Sequence, residues 1–105
     1  VLAGGPGVGP AVGIGEAAVA DDNEVAVVYR ADAPAHKERL DALREAGASV
    51  AVTDSDITDH VAAAITGGPD EQVFVYGFEE FIDDATAALD AAGIDPDAAK
   101  AENFG

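Results

Sequence analysis

Short apolar runs alternate with helix-forming segments along the whole chain, and this alternation limits the fold more than any other feature. Residues 24–29 (EVAVVY) form a near-continuous β-branched run, typical of a parallel strand covered on both faces. The pattern predicts a strand at the start of the chain, further strands over 49–52, 72–76 and 99–104, and helices over 11–20, 34–46, 57–65 and 79–92. Strands joined by helices predict an α/β three-layer sandwich with a parallel sheet and right-handed crossovers.

The first loop of this predicted sheet is unusually rich in glycine. Gly4, Gly5, Gly7 and Gly9 precede Pro10, which is predicted to open the first helix. Glycine backbone can approach a ligand closely, and a helix N-terminus offers free N–H groups and a positive dipole end. The stretch therefore predicts a phosphate or pyrophosphate site. It lies at the carboxyl edge of the strands, where parallel sheets bind ligands, together with loops 30–33, 53–56 and 77–80.

The composition is strongly acidic for a chain that can still form a core. There are 21 acidic and 5 basic residues, a net charge of −16, yet 49% of the 105 residues are apolar. The acids are interspersed with periodic apolar positions, which predicts one salt-adapted domain, halophilic in character, rather than a disordered tail. The charge argues against nucleic-acid binding. The absence of cysteine excludes disulfides and thiol chemistry, and we expect a cytoplasmic protein without a membrane span.

Three other patterns are better explained by structure than by chemistry. The Gly13-x-Gly15-x-x-Ala18 pattern matches a dinucleotide fingerprint, but it falls inside the first predicted helix, where close packing is the expected role. The acid-rich segment 53–60 fails the spacing of a calcium loop, so surface acids plus a helix cap explain it, and no metal site is predicted. His36 and His60 fall on predicted helices among charged residues, where we expect them to be solvated.

Motifs at both ends of the chain resemble one family. The Gly-Gly-x-Gly-Val-Gly-Pro stretch starting at Gly4 is similar to the Gly-Gly-x-Gly-Ile-Thr-Pro loop of the ferredoxin–NAD(P)+ reductase family, and it lacks the Gly-Lys-Ser/Thr of a nucleoside-triphosphate loop. The segments 75–78 (VYGF) and 102–105 (ENFG) resemble that family's strand-end Cys-Gly-Pro and closing Glu-Arg-Phe-Gly. The resemblance covers nearly the whole chain. It implies a five-stranded parallel sheet of order 3-2-1-4-5 that binds NADH or NADPH.

The resemblance also implies roles for individual residues. The pyrophosphate would lie along Gly4, Gly5, Gly7, Val8, Gly9 and Pro10, the nicotinamide beside Tyr76, Gly77 and Phe78, and the nicotinamide–flavin junction beside Glu102 and Phe104. Tyr76, Glu102 and Phe104 are the candidate catalytic residues. Gly9 replaces the family's Thr, and Tyr76 and Phe78 replace its Cys and Pro. Residues 1–105 would form the C-terminal half of a flavoprotein whose FAD-binding barrel precedes Val1.

The loop after the second strand bears on the choice of dinucleotide. Asp32 lies where NADPH-preferring relatives tend to place Arg or Ser, and a carboxylate there suits ribose hydroxyls but repels a 2′-phosphate. NADH is therefore expected to be favoured. Arg30 offers the opposite possibility, because it lies almost at the same place. Asp32 also fits a plain turn residue before Pro34.

Two hypotheses for function follow. In the first, the chain is the NAD(P)-binding domain of an FAD-dependent oxidoreductase, with its own flavin domain and an electron-acceptor protein as partners. Phe78 and Phe104 would then belong to a surface covered by the flavin domain, and the isolated chain would bind dinucleotide weakly and reduce no acceptor. In the second, the chain is a degenerate nucleotide-binding module with a regulatory or assembly role and no hydride transfer.

Overall fold

The computed structural model describes residues 1–104 and contains one five-stranded sheet. All neighbouring strands pair in parallel, in the order β3-β2-β1-β4-β5. The strands are β1 (Leu2–Gly4), β2 (Ala26–Arg30), β3 (Ser49–Thr53), β4 (Phe74–Gly77) and β5 (Lys100–Asn103). The fold class and the strand order expected from the sequence are both confirmed.

Four helices cover the two faces of the sheet. They are α1 (Val8–Ala20), α2 (Lys37–Glu45), α3 (Thr58–Ala64) and α4 (Glu79–Ala91), and two short 3-10 turns span Gly5–Gly7 and Pro96–Ala98. One core layer joins α1 and α2 to the sheet, through residues such as Ala3, Val12 and Leu40. The other joins α3 and α4 to the opposite face, around Leu2 and Val61. This is the three-layer arrangement that alternating strands and helices predict.

The structure corrects the start of two helices. The first begins at Val8, so Val8 and Gly9, expected in the loop, belong to its first turn, and Pro10, expected to open the helix, is its third residue. The second begins at Lys37 and not at Pro34. There the Ala35 N–H donates a hydrogen bond to the Tyr29 hydroxyl at 3.0 Å, which ties the segment to the sheet. His36 has a left-handed conformation (φ 56°), so it precedes the helix and does not lie on it.

The limits of β2 and β4 also shift by one or two residues toward the carboxyl edge, and β5 is one residue shorter at each end than predicted. Arg30 is the last residue of β2, paired in register with Gly4 and with Thr53, and Gly77 is the last residue of β4, paired with Asn103. The left-handed glycines Gly47 (φ 102°) and Gly93 (φ 84°) follow α2 and α4, as expected of helix C-terminal glycines. Within residues 1–104, no helix has the length and apolarity needed to cross a bilayer.

Candidate functional site

The strand order reverses at β1, and a shallow cleft opens there at the carboxyl edge of the sheet. The chain leaves β1 toward one face through α1, and leaves β4 toward the other face through α4. The cleft has a volume of about 210 Å³. Its lining combines backbone of the glycine segment with side chains from β2 and α4: Gly4, Gly5, Arg30, Phe78, Glu80 and Phe81. This is the position where open parallel sheets bind their ligands.

Two glycines of the first segment are required by packing inside the protein. A Cβ atom at Gly4 would lie 2.5 Å from Cδ1 of Phe81, and one at Gly7 would lie 2.6 Å from the carbonyl carbon of Tyr76. Both residues are buried. The 3-10 turn Gly5–Gly7 thus passes directly against the end of β4, at a distance that only glycine permits.

Two other positions of the same segment are open. Gly5 has φ +51°, a conformation that favours glycine, and a Cβ atom there would meet no heavy atom of residues 1–104 within 4 Å apart from its chain neighbours. The space beside Gly9, in the first turn of α1, is equally open within the described chain. Val8 is buried in the core, whereas Pro10 is exposed. The candidate phosphate-binding surface is therefore the backbone of Gly5 and Gly9.

The N-terminus of α1 faces this surface without a side-chain cap. Gly7 is its N-cap, and no described side chain donates or accepts a capping hydrogen bond there. The Val8 N–H donates to the Gly5 carbonyl oxygen, which closes the 3-10 turn. Gly9 and Pro10 leave one side of the first turn of this 13-residue helix accessible, so the helix presents the positive end of its dipole to an anion there.

Arg30 and Asp32, expected in one loop, are separated by the structure. The Arg30 side chain reaches across the end of β1 to α4, where Nη1 lies 2.9 Å from Oδ2 of Asp84. Its guanidinium carbon also lies 5.1 Å from the centre of the Phe81 ring. Asp32 remains exposed in the turn after β2. Asp84 was not singled out in the sequence; its i, i+3 spacing from Phe81 places the two on one side of a helix but does not indicate a distant arginine.

The three candidate catalytic residues lie close together on the other face of the sheet. Tyr76 is in register with Glu102 of β5 and with Ala3 of β1, whose side chain belongs to the core layer under α1. Residues in register on parallel strands point to the same face. The ring of Phe104 stacks on Tyr76 with a centroid distance of 6.2 Å, and Phe74 stacks on its other side at 6.4 Å. Glu102 and Phe104 are exposed.

Two aromatic rings at this edge face solvent, as expected from the sequence. The exposed fraction is 50% for Phe78 and 37% for Phe104. Phe78 lines the cleft beside Arg30, whereas Phe104 belongs to the aromatic stack with Tyr76. The candidate nicotinamide and flavin contacts therefore flank the end of β4 from two sides.

The acid-rich segment 53–60 and the glycine pattern of the first helix were expected to have structural roles, and Asp56 and Gly15 do. Oδ1 of Asp56 accepts hydrogen bonds from the N–H of Thr58 at 2.8 Å and from its hydroxyl at 2.6 Å, at the start of α3. These bonds hold the pKa of Asp56 below its ordinary value. Gly15 lets α1 approach α2, because a Cβ atom there would lie 3.0 Å from Leu43. A Cβ atom at Gly13 would meet no heavy atom of the described residues within 4 Å outside the helix backbone, so the close packing expected there is wrong for Gly13. The dinucleotide-like pattern lies inside α1 and not at the strand end.

Comparison with known proteins shows the fold. Neither a protein-family model nor a curated protein matches the chain. A solved structure does: flavohemoglobin from Malassezia yamatoensis with bound FAD and heme, at a TM-score of 0.74 and 22% sequence identity. The match covers 99% of this chain and 30% of that protein, so the chain spans less than a third of its length. The protein described here thus shares its five-stranded parallel α/β fold with one part of an FAD- and heme-containing flavohemoglobin.

Proposed function

We propose that this chain is the NAD(P)-binding domain of a flavin-dependent oxidoreductase, in which a dinucleotide passes hydride to a flavin held by a separate domain. The observation that carries the proposal is the open glycine surface at Gly5 and Gly9, placed at the N-terminus of α1 and at the point where the strand order reverses. The similarity of fold to an FAD-containing flavohemoglobin supports the flavin part of the proposal.

In this proposal, the parts of the dinucleotide contact different residues along the carboxyl edge of the sheet. The pyrophosphate would lie against the backbone of Gly5 and Gly9, where N–H groups and the helix dipole favour an anion. The nicotinamide, which supplies the hydride when bound, would lie beside Gly77 and Phe78. Tyr76 would also lie beside the nicotinamide, and Glu102 and Phe104 would face the nicotinamide–flavin junction. The protein's contribution is to position the two rings and to exclude water between them.

Direct titration of NADH into the 15N-labelled chain in molar KCl tests the site. We expect amide shifts at Gly5, Gly9 and Gly77. Gly47 and Gly93 serve as internal controls, because they precede β3 and β5 at the opposite edge of the sheet. No shift at saturating NADH would contradict the proposal, as would shifts at the control glycines equal to those at Gly5.

A second experiment tests the flavin partner. In a full-length protein that includes an FAD-binding domain, Phe104→Ala should slow flavin reduction by NADH more than it lowers stability, because a ring that is 37% exposed contributes little to the core. The isolated chain is expected to reduce no acceptor. Equal losses of stability and activity would identify Phe104 as a core residue, and reduction by the isolated chain would contradict the two-domain proposal.

The aromatic stack favours a second candidate, a nucleotide-binding module that transfers no hydride. Tyr76 stacks between Phe74 and Phe104, so aromatic side chains already contact one another beside the end of β4. In such a module the stack would be an assembly surface. The two candidates differ in one measurement: NADH oxidation by the full-length protein supports the enzyme, whereas dinucleotide binding without oxidation supports the module.

A further inference from the structure

The cleft is lined by an arginine side chain whose charge is already paired with a carboxylate of the protein. Among the described residues that line it, Arg30 is the only basic one. Its guanidinium is bound to Asp84 at 2.9 Å and lies over the Phe81 ring, and only 24% of its side chain is exposed. The Arg30 charge also acts on Asp56, where it adds to the hydrogen bonds of Thr58 that lower the pKa. The Asp84 carboxylate thus pairs with the guanidinium, and Glu80 adds a further carboxylate to the lining of the cleft.

This arrangement bears on phosphate recognition. In dinucleotide-binding sheets, the end of the second strand meets the adenine ribose, where an acidic residue binds the 2′-hydroxyl and an arginine binds a 2′-phosphate. Arg30 ends β2, but its side chain is directed to α4. The Asp84 carboxylate occupies Nη1 and holds the guanidinium against α4, so it competes with a phosphate for this cation, whereas Asp32 stays exposed next to the same strand end.

We propose that Asp84 is a positioning residue that sets dinucleotide preference. By holding Arg30 against α4 it withholds the cleft's arginine from a 2′-phosphate, so the unphosphorylated dinucleotide is favoured. This inference rests on the proposed dinucleotide function. It goes further by assigning selectivity to an ion pair between β2 and α4, formed by two residues that are 54 positions apart in the sequence.

The first test measures the guanidinium itself, with inorganic pyrophosphate as the probe. The variant is Asp84→Asn, and the matched control is Asp83→Asn, an equal charge change on the adjacent exposed residue of α4. We expect the Arg30 Nε–H resonance to respond to pyrophosphate in Asp84→Asn, and much less in the parent and in the control. An equal response in all three proteins, or none in Asp84→Asn, would overturn the inference whether or not dinucleotides bind.

The second test measures the ratio of NADPH to NADH dissociation constants. An exposed ion pair and a cation–π contact are each weak, so their release predicts a gain for NADPH of about three- to tenfold in Asp84→Asn. Asp83→Asn should leave the ratio unchanged, Asp84→Glu should restore it toward the parent, and Arg30→Gln combined with Asp84→Asn should abolish the gain. A ratio that changes equally in both Asn variants would show a general charge effect and reject the role of Asp84.

The same titrations separate this inference from the proposed function. If the parent and all variants bind neither dinucleotide, the proposed function fails, while the pyrophosphate response of Arg30 still decides whether Asp84 controls it. If the parent binds NADH and Asp84→Asn behaves like Asp83→Asn, the proposed function stands and the inference fails.

Discussion

The glycines of the first segment and the first helix fall into two regions with opposite surroundings. At Gly4 and Gly7 a Cβ atom would overlap Phe81 or the backbone of Tyr76. At Gly9 and Gly13, on α1, it would meet no heavy atom of the described chain within 4 Å outside the helix backbone. A glycine-rich motif therefore contains two kinds of residue. One kind allows two backbone segments to meet, and the other leaves a surface open.

Salt should produce the largest effect and should act on both regions alike. With a net charge of −16, repulsion opposes the compact state in dilute buffer. Between about 0.1 M and about 1 M KCl the Debye length falls from about 10 Å to about 3 Å. We expect the thermal midpoint to rise substantially over this range. Steric overlap is not screened, so the stability difference between the parent and a Gly7 variant should stay constant. A midpoint that is flat with salt would contradict the salt-adaptation hypothesis.

Gly7→Ala should give the largest effect of any single substitution in the comparison. The new Cβ atom meets the carbonyl group of Tyr76, which is backbone within a parallel sheet and cannot move without disturbing β4. We expect the free energy of unfolding to fall by about 3 kcal/mol. Urea denaturation in molar KCl measures it, with Gly9→Ala, two residues later, as the control. Equal stability of the two variants would remove the distinction between crowded and open glycines.

Gly4→Ala should cost less, because the obstacle is a side chain. Its Cβ atom meets Cγ, Cδ1 and Cβ of Phe81, so α4 must shift slightly to relieve the overlap, whereas Gly7→Ala would have to displace backbone of the sheet. We expect a loss of about 1–2 kcal/mol in the free energy of unfolding. Combining Gly4→Ala with Phe81→Ala should cost less than the sum of the two single changes, since removal of the ring leaves only the Cβ atom of residue 81, at 2.8 Å, near the new methyl group. Strict additivity would show that the two residues do not compete for space.

The sequence predicted the strands of the sheet well, because strand formation depends on runs of neighbouring residues. Apolar β-branched runs located β2, β3 and β4 to within one or two residues, and the glycines after α2 and α4 marked where those helices end. The family resemblance supplied the strand order, which composition and periodicity alone do not determine. The strand positions and helix ends depend on neighbours in sequence, so they could be predicted from the chain itself.

The errors concern residues whose conformation depends on distant partners. The early start of α1 follows from a 3-10 turn that packs on Tyr76, 69 positions after Gly7. The late start of α2 follows from a hydrogen bond between Ala35 and the Tyr29 hydroxyl. Arg30 lines the cleft, but its partner Asp84 could be identified only from the fold. The roles assigned to the site residues remain predictions.

Acid should destabilise the loop around Gly67, which is held by hydrogen bonds to a carboxylate and not by close steric contact. Glu71 accepts hydrogen bonds from the Thr66 N–H and hydroxyl at 2.8 and 2.7 Å and from the Gly67 N–H at 3.1 Å. Burial acts to raise the pKa of Glu71, but these bonds outweigh it and lower the pKa. The stabilisation is therefore complete above the unfolded-state pKa, about 4.3, and is lost as the pH falls through the lower folded-state pKa.

Substitution of Glu71 isolates this contribution. Because the carboxylate is partly exposed, Glu71→Gln should lower the free energy of unfolding near neutral pH by no more than about 1 kcal/mol. The difference from the parent should shrink as the pH falls below about 4. Asp70→Asn, at the neighbouring exposed acid, is the control and should change little. A difference that does not depend on pH would show that the Glu71 charge has no part in holding the loop.

The smallest stability effect concerns Gly9 and Gly13, the two open glycines of α1. Comparing them distinguishes a glycine that faces a ligand from one that faces only solvent. Alanine has a higher helix propensity than glycine, by up to about 1 kcal/mol in a helix interior and less in the first turn. Gly9→Ala and Gly13→Ala should therefore both leave stability unchanged or slightly raised. Only Gly9→Ala should weaken NADH binding, because its methyl group lies beside the N-terminus of α1, whereas Gly13 lies one turn further along the helix. Calorimetric titration of NADH into both variants measures this. If both weaken binding equally, or neither does, the open surface at Gly9 is not the pyrophosphate site, and the glycine segment serves only the packing of β1 against β4.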